Sequence, residues 1–243
     1  MMVNTAVILA AGQGTRLATL GRSHPKGFLQ FGNKPIIAES IEKLLSLGIQ
    51  EIIIVTGYLC HFYEQLAKQY PQITTCYNSQ YATSGSLYSL YCAKDLIQQD
   101  FFLLESDLIY EERALTILKN FPKDNAILLS GTTNAGDEVY VETQAQTIVN
   151  MSKKPEKLNQ ITGELVGISK ISLLLFQLLL QEAAARFAAT LNIDYETDGL
   201  VAVAQNYPIY YQLVPDLIWA EIDDYQHLMR AKQKVYPALR VNS

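Results

Sequence analysis

The sequence predicts an α/β protein: a mostly parallel sheet flanked by helices, with a smaller β-rich elaboration in the second half. Three observations carry that expectation. Strand-like and helix-like apolar patterns alternate through the first half. Short strand-like runs then crowd together between 126 and 152. Hydrophobic residues make up 49% of the 243 and charged residues 18%, which suits a sizeable buried core and excludes global disorder. Two full domains would be crowded at this length. With no Pro/Ser-rich linker, low-complexity tract or internal repeat, one domain over 1–243 is expected.

Taken in order, AVILA (6–10) is a short strand run that ends at a glycine loop. Residues 35–48 have helical periodicity, with Pro35 at the start and Gly48 as a stop, and lead into the strand EIIIVTG (51–57). A helix over 60–69, a strand over 73–77 and a helix over 86–96 follow. FFLLESD (101–107) is an apolar strand that turns acidic at its carboxyl end. Such repeated units predict a parallel sheet covered on both faces. AILLSGT (126–132), EVYVET (138–143) and TIVNMS (147–152) read as an antiparallel meander. An apolar helix over 171–189, a helix near 196–204, a strand over 209–214 and a helix after Asp224 complete the chain.

Net charge is −5, which argues against nucleic acid or an anionic membrane as main partner. Locally, Arg16, Arg22, Lys26 and Lys34 gather near the N-terminus, and Glu221, Asp223 and Asp224 near the C-terminus. Cys60, Cys76 and Cys92 are odd in number and lack metal-ligand spacing, so a reducing cytoplasm is expected. His24, His61 and His227 are scattered and suggest no histidine-based metal site. The apolar run 6–11 lacks a basic leader and breaks at glycines, so it reads as a first strand and not a signal peptide. The run 171–180 is well short of the roughly 20 residues that span a bilayer. Its nearly continuous apolar surface predicts burial on every side, and with it a homodimer or other small oligomer.

The strongest motif is LAAGQGTRL (9–17) followed by PKGFLQFGNKPII (25–37). Gly12 and Gly14 would let successive backbone N–H groups turn toward phosphate oxygens, with Arg16 and Lys26 adding fixed positive charge. A dinucleotide-binding turn would want glycine where the chain has Leu17. A P-loop would need Gly-Lys-Ser/Thr, which is absent. An ordinary βα turn leaves the spacing to Pro25-Lys26 and Lys34-Pro35 unexplained. A second signal is Glu105-Ser106-Asp107 at a strand's carboxyl end, where ligands gather in open α/β sheets and a carboxylate suits Mg²⁺. In WAEIDD (219–224), Glu221 and Asp223 alternate and share one face of a strand. Isolated acidic strand ends and alternations also occur without function.

The double motif resembles the nucleotidyltransferase family that activates sugar phosphates and aminoalcohol phosphates, over nearly the whole chain. GDEVYVET (136–143), SKK (152–154), GELVGISKIS (163–172), SGSLYSLYCA (84–93) and LLESDLIYE (103–111) resemble most the bacterial cytidylyltransferases for 2-aminoethylphosphonate and phosphocholine. The glycine-rich signatures of the sugar-phosphate enzymes are not evident. One departure is Thr83-Ser84-Gly85, where many phosphocholine enzymes carry Thr-Asn-Asn.

The resemblance implies a Rossmann-like sheet of the nucleotide-diphospho-sugar transferase type. It implies that Leu9, Ala10, Ala11, Gly12, Gln13, Gly14, Thr15 and Arg16, with Lys26, Thr83, Ser84, Gly85 and Ser86, hold the nucleotide. By the same resemblance Asp107 and Asp223 hold a catalytic Mg²⁺ with Glu221 nearby, and Arg16, Lys26 and Asp107 are catalytic. The acceptor region would comprise Lys154, Glu164, Asp194, Tyr195 and Glu196, although Asp194 also suits a helix cap. The activity implied is transfer of CMP from CTP to a small phosphonate or phosphate. Asp194 and Glu196 around one aromatic favour a primary amine, hence 2-aminoethylphosphonate over phosphocholine. A sugar-1-phosphate nucleotidyltransferase is the alternative within enzymes. A catalytically inactive nucleotide-binding regulator is the alternative outside them, though all four of Arg16, Lys26, Asp107 and Asp223 are present.

Overall fold

The computed structural model describes residues 3–17, 21 and 23–241; Arg22 lies outside the described residues. The first half contains β1 (Thr5–Ala10), β2 (Gln30–Phe31), β3 (Lys34–Pro35), α1 (Ile36–Ser46), β4 (Glu51–Thr56), α2 (Cys60–Ala67), β5 (Ile73–Tyr77), α3 (Ser86–Cys92) and β6 (Phe101–Glu105). There follow β7 (Leu108–Tyr110), α4 (Arg113–Lys119), β8 (Ala126–Ser130), β9 (Tyr140–Gln144), β10 (Thr147–Ser152), β11 (Gly163–Ile171) and α5 (Leu173–Arg186). A wide helical turn at Tyr195–Leu200 runs into α6 (Val201–Ala204). After it come β12 (Tyr210–Val214), β13 (Trp219–Glu221), α7 (Tyr225–Arg230) and α8 (Tyr236–Val241).

Among the described residues a nine-stranded sheet has the order β5-β4-β1-β6-β11-β8-β12-β10-β9. β5, β4, β1 and β6 are parallel, as the alternating first half predicts. The apolar runs of β4, β1 and β6 are continuous because both faces are covered, whereas β5, at the sheet edge, buries only Ile73. Ala6 and Ile8 pack with Ile37 and Ile41 of α1 and Leu115 of α4. Val7 and Leu9 point the other way, toward Leu87 and Leu90 of α3 and Phe176 of α5.

The expected meander needs correction. β9 and β10 pair antiparallel, but β8 lies between β11 and β12, parallel to the latter. All five β8 residues are buried, and a strand buried on both faces belongs in the middle of a sheet. β11 runs antiparallel to β6 and β8, and its first residues also pair with β9. Helix α5 also differs from expectation. It buries Leu175, Phe176, Leu179 and Ala183 on one side and leaves Leu174 53% exposed, so its burial is one-faced. No helix of the described residues is long and apolar enough to cross a membrane.

Candidate active site

Three local features gather the site at the carboxyl ends of β1 and β6. The first is the glycine turn after β1. Gly14 has φ +61°, which favours glycine, and its carbonyl accepts from the Leu17 N–H at 3.0 Å. Gly12 needs no such freedom; a Cβ there would meet nothing within 4 Å and would project into open space. The second is the junction of β6 with β7, where the Ser106 N–H donates to the Leu9 carbonyl at 3.1 Å. The third is the antiparallel pairing of β13 with β7, Glu221 opposite Leu108. Just beyond it the Ile222 N–H donates to the Asp107 carbonyl at 3.1 Å, which sets Asp223 beside Asp107 despite their distance in sequence.

Two cavities open here. The larger, about 240 Å³, is lined by Leu9, Ala10, Ala11, Gly12, Arg16 and Lys26, and by Tyr81, Ser84, Gly85 and Ser86. Asp107, Asp194 and Asp223 also line it. The smaller, about 40 Å³, is lined by Asp137, Glu138, Trp219 and Arg230, and shares Glu105, Lys153, Glu196 and Glu221 with its neighbour. Ser84–Ser86 hold their place because Asn78, fully buried, donates to the Ser84 and Ser89 hydroxyls at 3.0 and 3.1 Å. At Gly85 the backbone of Ile193 passes so close that a Cβ would lie 2.2 Å from its carbonyl oxygen.

The cations and carboxylates form one network. Lys26 Nζ donates to Asp107 Oδ2 at 2.7 Å and to Asp223 Oδ1 at 2.5 Å. Arg16 meets Asp223 Oδ1 at 2.7 Å and Asp137 Oδ2 at 3.0 Å. Burial opposes charge on Lys26, but Asp107 and Asp223 outweigh it and hold the ammonium above the usual lysine range. Burial likewise opposes ionisation of Asp223, yet Lys26, a hydrogen bond with Asp137 and Arg16 hold it below the usual carboxylate range.

Glu105, Asp107 and Glu221 each place a carboxylate oxygen within 4.8 Å of the others. Burial pushes Glu105 and Glu221 well above the carboxylate range; Glu196 and Asp107 add to it at Glu105, and Glu105 and Asp107 add to it at Glu221. This all-oxygen donor set fits a hard divalent cation such as Mg²⁺. Asp223 instead groups with Asp137 and His227, so Lys26 stands between the two carboxylates expected to share a metal. His227 is thus brought to the site although sequence reading left it aside.

Other expected residues divide. Gln13, Gly14, Thr15 and Thr83 do not line the larger cavity. Lys34 is paired with Glu42 at 2.7 Å, away from the site. Asp194 and Glu196 face the cleft, and the Asp194 side chain makes no helix-capping bond. Tyr195 is buried behind them, its hydroxyl donating to Glu105 Oε1 at 3.1 Å and its N–H to the Ser86 hydroxyl at 2.9 Å. Ser86 in turn donates to Glu196 at 3.3 Å. Burial, then Asp194, pushes Glu196 up to about 7.

Two acceptor expectations need correction. Lys154 is exposed and lines neither cavity; its neighbour Lys153 lines both. Adjacent residues leaving a strand point to opposite faces, and SKK does not reveal the phase. Glu164 is also no cavity residue: it is buried, and its Oε2 accepts from the Thr133 N–H at 2.8 Å, holding the loop before β9. Glu105, Asp137, Glu138, Lys153, Trp219 and Arg230 were not assigned site roles from sequence, although most lie inside motifs already singled out.

The chain belongs to the nucleotidyl transferase family, whose profile matches residues 5–171, from β1 to the end of β11. It is 29% identical to a CTP:phosphoglutamine cytidylyltransferase of Campylobacter jejuni, covering 90% of this chain and 95% of the relative. It is 30% identical to a CMP-5'-(3-aminopropyl)phosphonate synthase of Streptomyces rubellomurinus, covering 90% of this chain but only 37% of that longer protein. Among solved structures, the inositol-1-phosphate CTP transferase of T. maritima aligns with a TM-score of 0.84 at 18% identity, covering 99% of this chain and 96% of that one. The CTP:phosphocholine cytidylyltransferase of Streptococcus pneumoniae aligns at 0.79 and 21%, covering 96% and 99%. These structural likenesses show the nucleotide-diphospho-sugar transferase fold.

Proposed function

We propose that the chain is a magnesium-dependent cytidylyltransferase that moves CMP from CTP to a small amine-bearing phosphonate or phosphate and releases pyrophosphate. 2-Aminoethylphosphonate is favoured and phosphocholine comes next. The observation that carries this reading is the meeting of two cavities at one carboxylate cluster. One is built around a glycine turn with Arg16 and Lys26, and the other is walled by Glu105, Asp137, Glu138, Glu196 and Glu221. The relatives named for CTP and for an aminopropylphosphonate product support the same choice.

Asp107, Glu221 and Asp223, with Glu105 beside them, would hold Mg²⁺, which when bound supplies charge neutralisation for the triphosphate. The phosphonate or phosphate acceptor needs no activated side-chain nucleophile, because its oxygen is already anionic near neutral pH. The chain's own task is positioning and charge compensation. Arg16 and Lys26 offset charge on the departing pyrophosphate. Lys153, at the border of both cavities, meets the acceptor's anionic group. Ser86 and Tyr195 fix Glu196 and Glu105 so that their carboxyl groups face the acceptor's cationic end.

A quaternary ammonium relies on aromatic faces, whereas a primary ammonium has three donors for carboxylates. Of the 15 tyrosines none lines the smaller cavity among the described residues; Trp219 is its aromatic wall. This favours a primary amine. The test is pyrophosphate release from CTP, GTP, UTP and ATP with 2-aminoethylphosphonate, 3-aminopropylphosphonate, phosphoglutamine, phosphocholine and glucose 1-phosphate. CTP with an aminoalkylphosphonate is expected to give the highest kcat/KM. A tenfold preference for phosphocholine, about 1.4 kcal/mol in transition-state binding, overturns the acceptor alone. Turnover of UTP with the sugar phosphate overturns the cytidylyltransferase reading.

The half-exposed Leu174 on α5 keeps a homodimer as part of the proposal. Light scattering at micromolar concentration is expected to give a dimer mass, and a monomer mass overturns it.

A further inference from the structure

We infer that Asp137 is a positioning residue that holds Arg16 in reserve until a nucleoside triphosphate arrives, and that nucleotide binding unlatches the loop bearing Asp137 beside the acceptor cavity. The inference rests on the nucleotide reading of the larger cavity. Arg16 lines that cavity and Asp137 lines the smaller one, and their 3.0 Å pair ties the glycine turn to the loop between β8 and β9.

Both terminal nitrogens of the guanidinium are engaged in this state. One arm meets Asp137 and the other meets Asp223. A planar guanidinium can engage carboxylates or a phosphate through the same N–H groups, so the two uses compete. The Arg16 side chain is 53% exposed, and an ion pair so open to water is weak enough for a triphosphate to replace.

The consequence for Asp137 follows from what surrounds it. Asp137 and Asp223 each place a carboxylate oxygen within 4.8 Å of the other, and Arg16 bridges them. With Arg16 drawn to phosphate, Lys26 still compensates Asp223, and it is Asp137 that faces a second carboxylate with no guanidinium between them. His227 Nε2, 3.4 Å from Asp137 Oδ1, is the remaining basic partner, and it also meets the Ala135 carbonyl at 3.2 Å. Elsewhere the loop is anchored at its base: Glu164 accepts from the Thr133 N–H, and Arg230 donates to the Thr133 carbonyl at 3.0 Å. Within the segment 135–138 Glu138 is itself held, its Oε1 accepting from the Thr133 hydroxyl at 3.4 Å and the Ala135 N–H at 2.5 Å and its Oε2 from the Tyr140 hydroxyl at 3.3 Å, so the response falls on Asp137. Asp137 lines the acceptor cavity, so nucleotide binding makes its negative charge available where an ammonium would bind.

The experiment uses the full chain with Mg²⁺ and α,β-methylene-CTP, a triphosphate that cannot transfer CMP. Affinity is read by calorimetry and loop mobility by amide hydrogen exchange over 132–138. In the wild type, saturating nucleotide is expected to speed exchange in this segment while slowing it over 9–16. Asp137→Ala is expected to exchange fast without nucleotide, to gain no further from it, and to bind nucleotide about fivefold more tightly; Asp137→Asn should behave likewise to a smaller degree. A purely structural Asp137 would loosen the variant loop without any response of the wild-type loop to nucleotide. Exchange that is unchanged or slowed in the nucleotide-bound wild type overturns the latch, whatever the variants do. Unaltered or weaker affinity in both variants overturns the competition for Arg16. If the wild type fails to bind the nucleotide at all, the nucleotide reading itself falls, and the latch with it.

Discussion

Asp107→Asn and Asp223→Asn are each expected to lower turnover with CTP by about a hundredfold or more, with the fold retained. Both side chains face the cleft at the ends of β6 and β13, and each change removes one anionic oxygen set without changing shape. Neither leaves a buried cation stranded. Lys26 keeps Asp223 when Asp107 is neutralised, and keeps Asp107 when Asp223 is neutralised. Arg16 retains Asp137 in the second case. The Ile222 to Asp107 backbone bond does not depend on either carboxylate. The measurement is kcat over a Mg²⁺ titration, with circular dichroism as the control for folding. Near-normal kcat at saturating Mg²⁺ in both variants would remove these carboxylates from the catalytic site.

How much of this was legible in the sequence depends on the length and the surroundings of each element. The parallel half was legible because AVIL, EIIIV and FFLL are apolar at consecutive positions, as strands covered on both faces must be, and Gly48 marks a helix end. The glycine turn and the acidic end of β6 were legible because cleft-facing residues there have no use in a core. β11 was not read as a strand. Its GELVGISKI carries Glu164 and Lys170, which look exposed by type yet are buried. Glu164 is satisfied by the Thr133 N–H, and Lys170 donates to the Phe121 carbonyl at 2.9 Å. Both partners are remote in sequence and leave no local trace. β7 and β13 are three residues each, too short for any period to show. Their pairing is what joins the two acidic segments, so the sequence could suggest both carboxylate groups but not the lysine between them. Asp137 and His227 reach Arg16 and Asp223 only through the packing of the C-terminal helices against the N-terminal segments.

Lys26→Met is expected to destabilise the free protein by about 3–5 kcal/mol at neutral pH, the usual cost of deleting one partner of a buried pair. Met keeps most of the apolar stem, so the loss reports the ammonium. Without it, Asp107 and Asp223 lose their shared counter-charge, and Glu105 and Glu221, already pushed up by burial and by neighbouring carboxylates, remain beside them. The sign with pH follows from the directions of the shifts. Lys26 is held above its ordinary value, so its contribution is complete below the unfolded pKa of about 10.4 and is lost as pH rises through the folded value. Asp223 is held below its ordinary value, so its contribution is present above the unfolded pKa of about 3.9 and is lost as pH falls through the folded value. Between these limits the pair acts in full. In the Met variant the carboxylates can relieve their repulsion only by taking up protons, so its deficit should shrink as the pH is lowered from about 7.5 to about 5. Urea unfolding of both proteins with a chelator present at the two pH values measures this. An equal deficit at both would mean that lost packing, not lost charge, destabilises the variant. In turnover the same variant should lose more in kcat than it gains in KM for CTP, because charge builds on the pyrophosphate as it leaves. A rise in KM alone would make Lys26 a ground-state anchor whose larger role is to hold the carboxylates together.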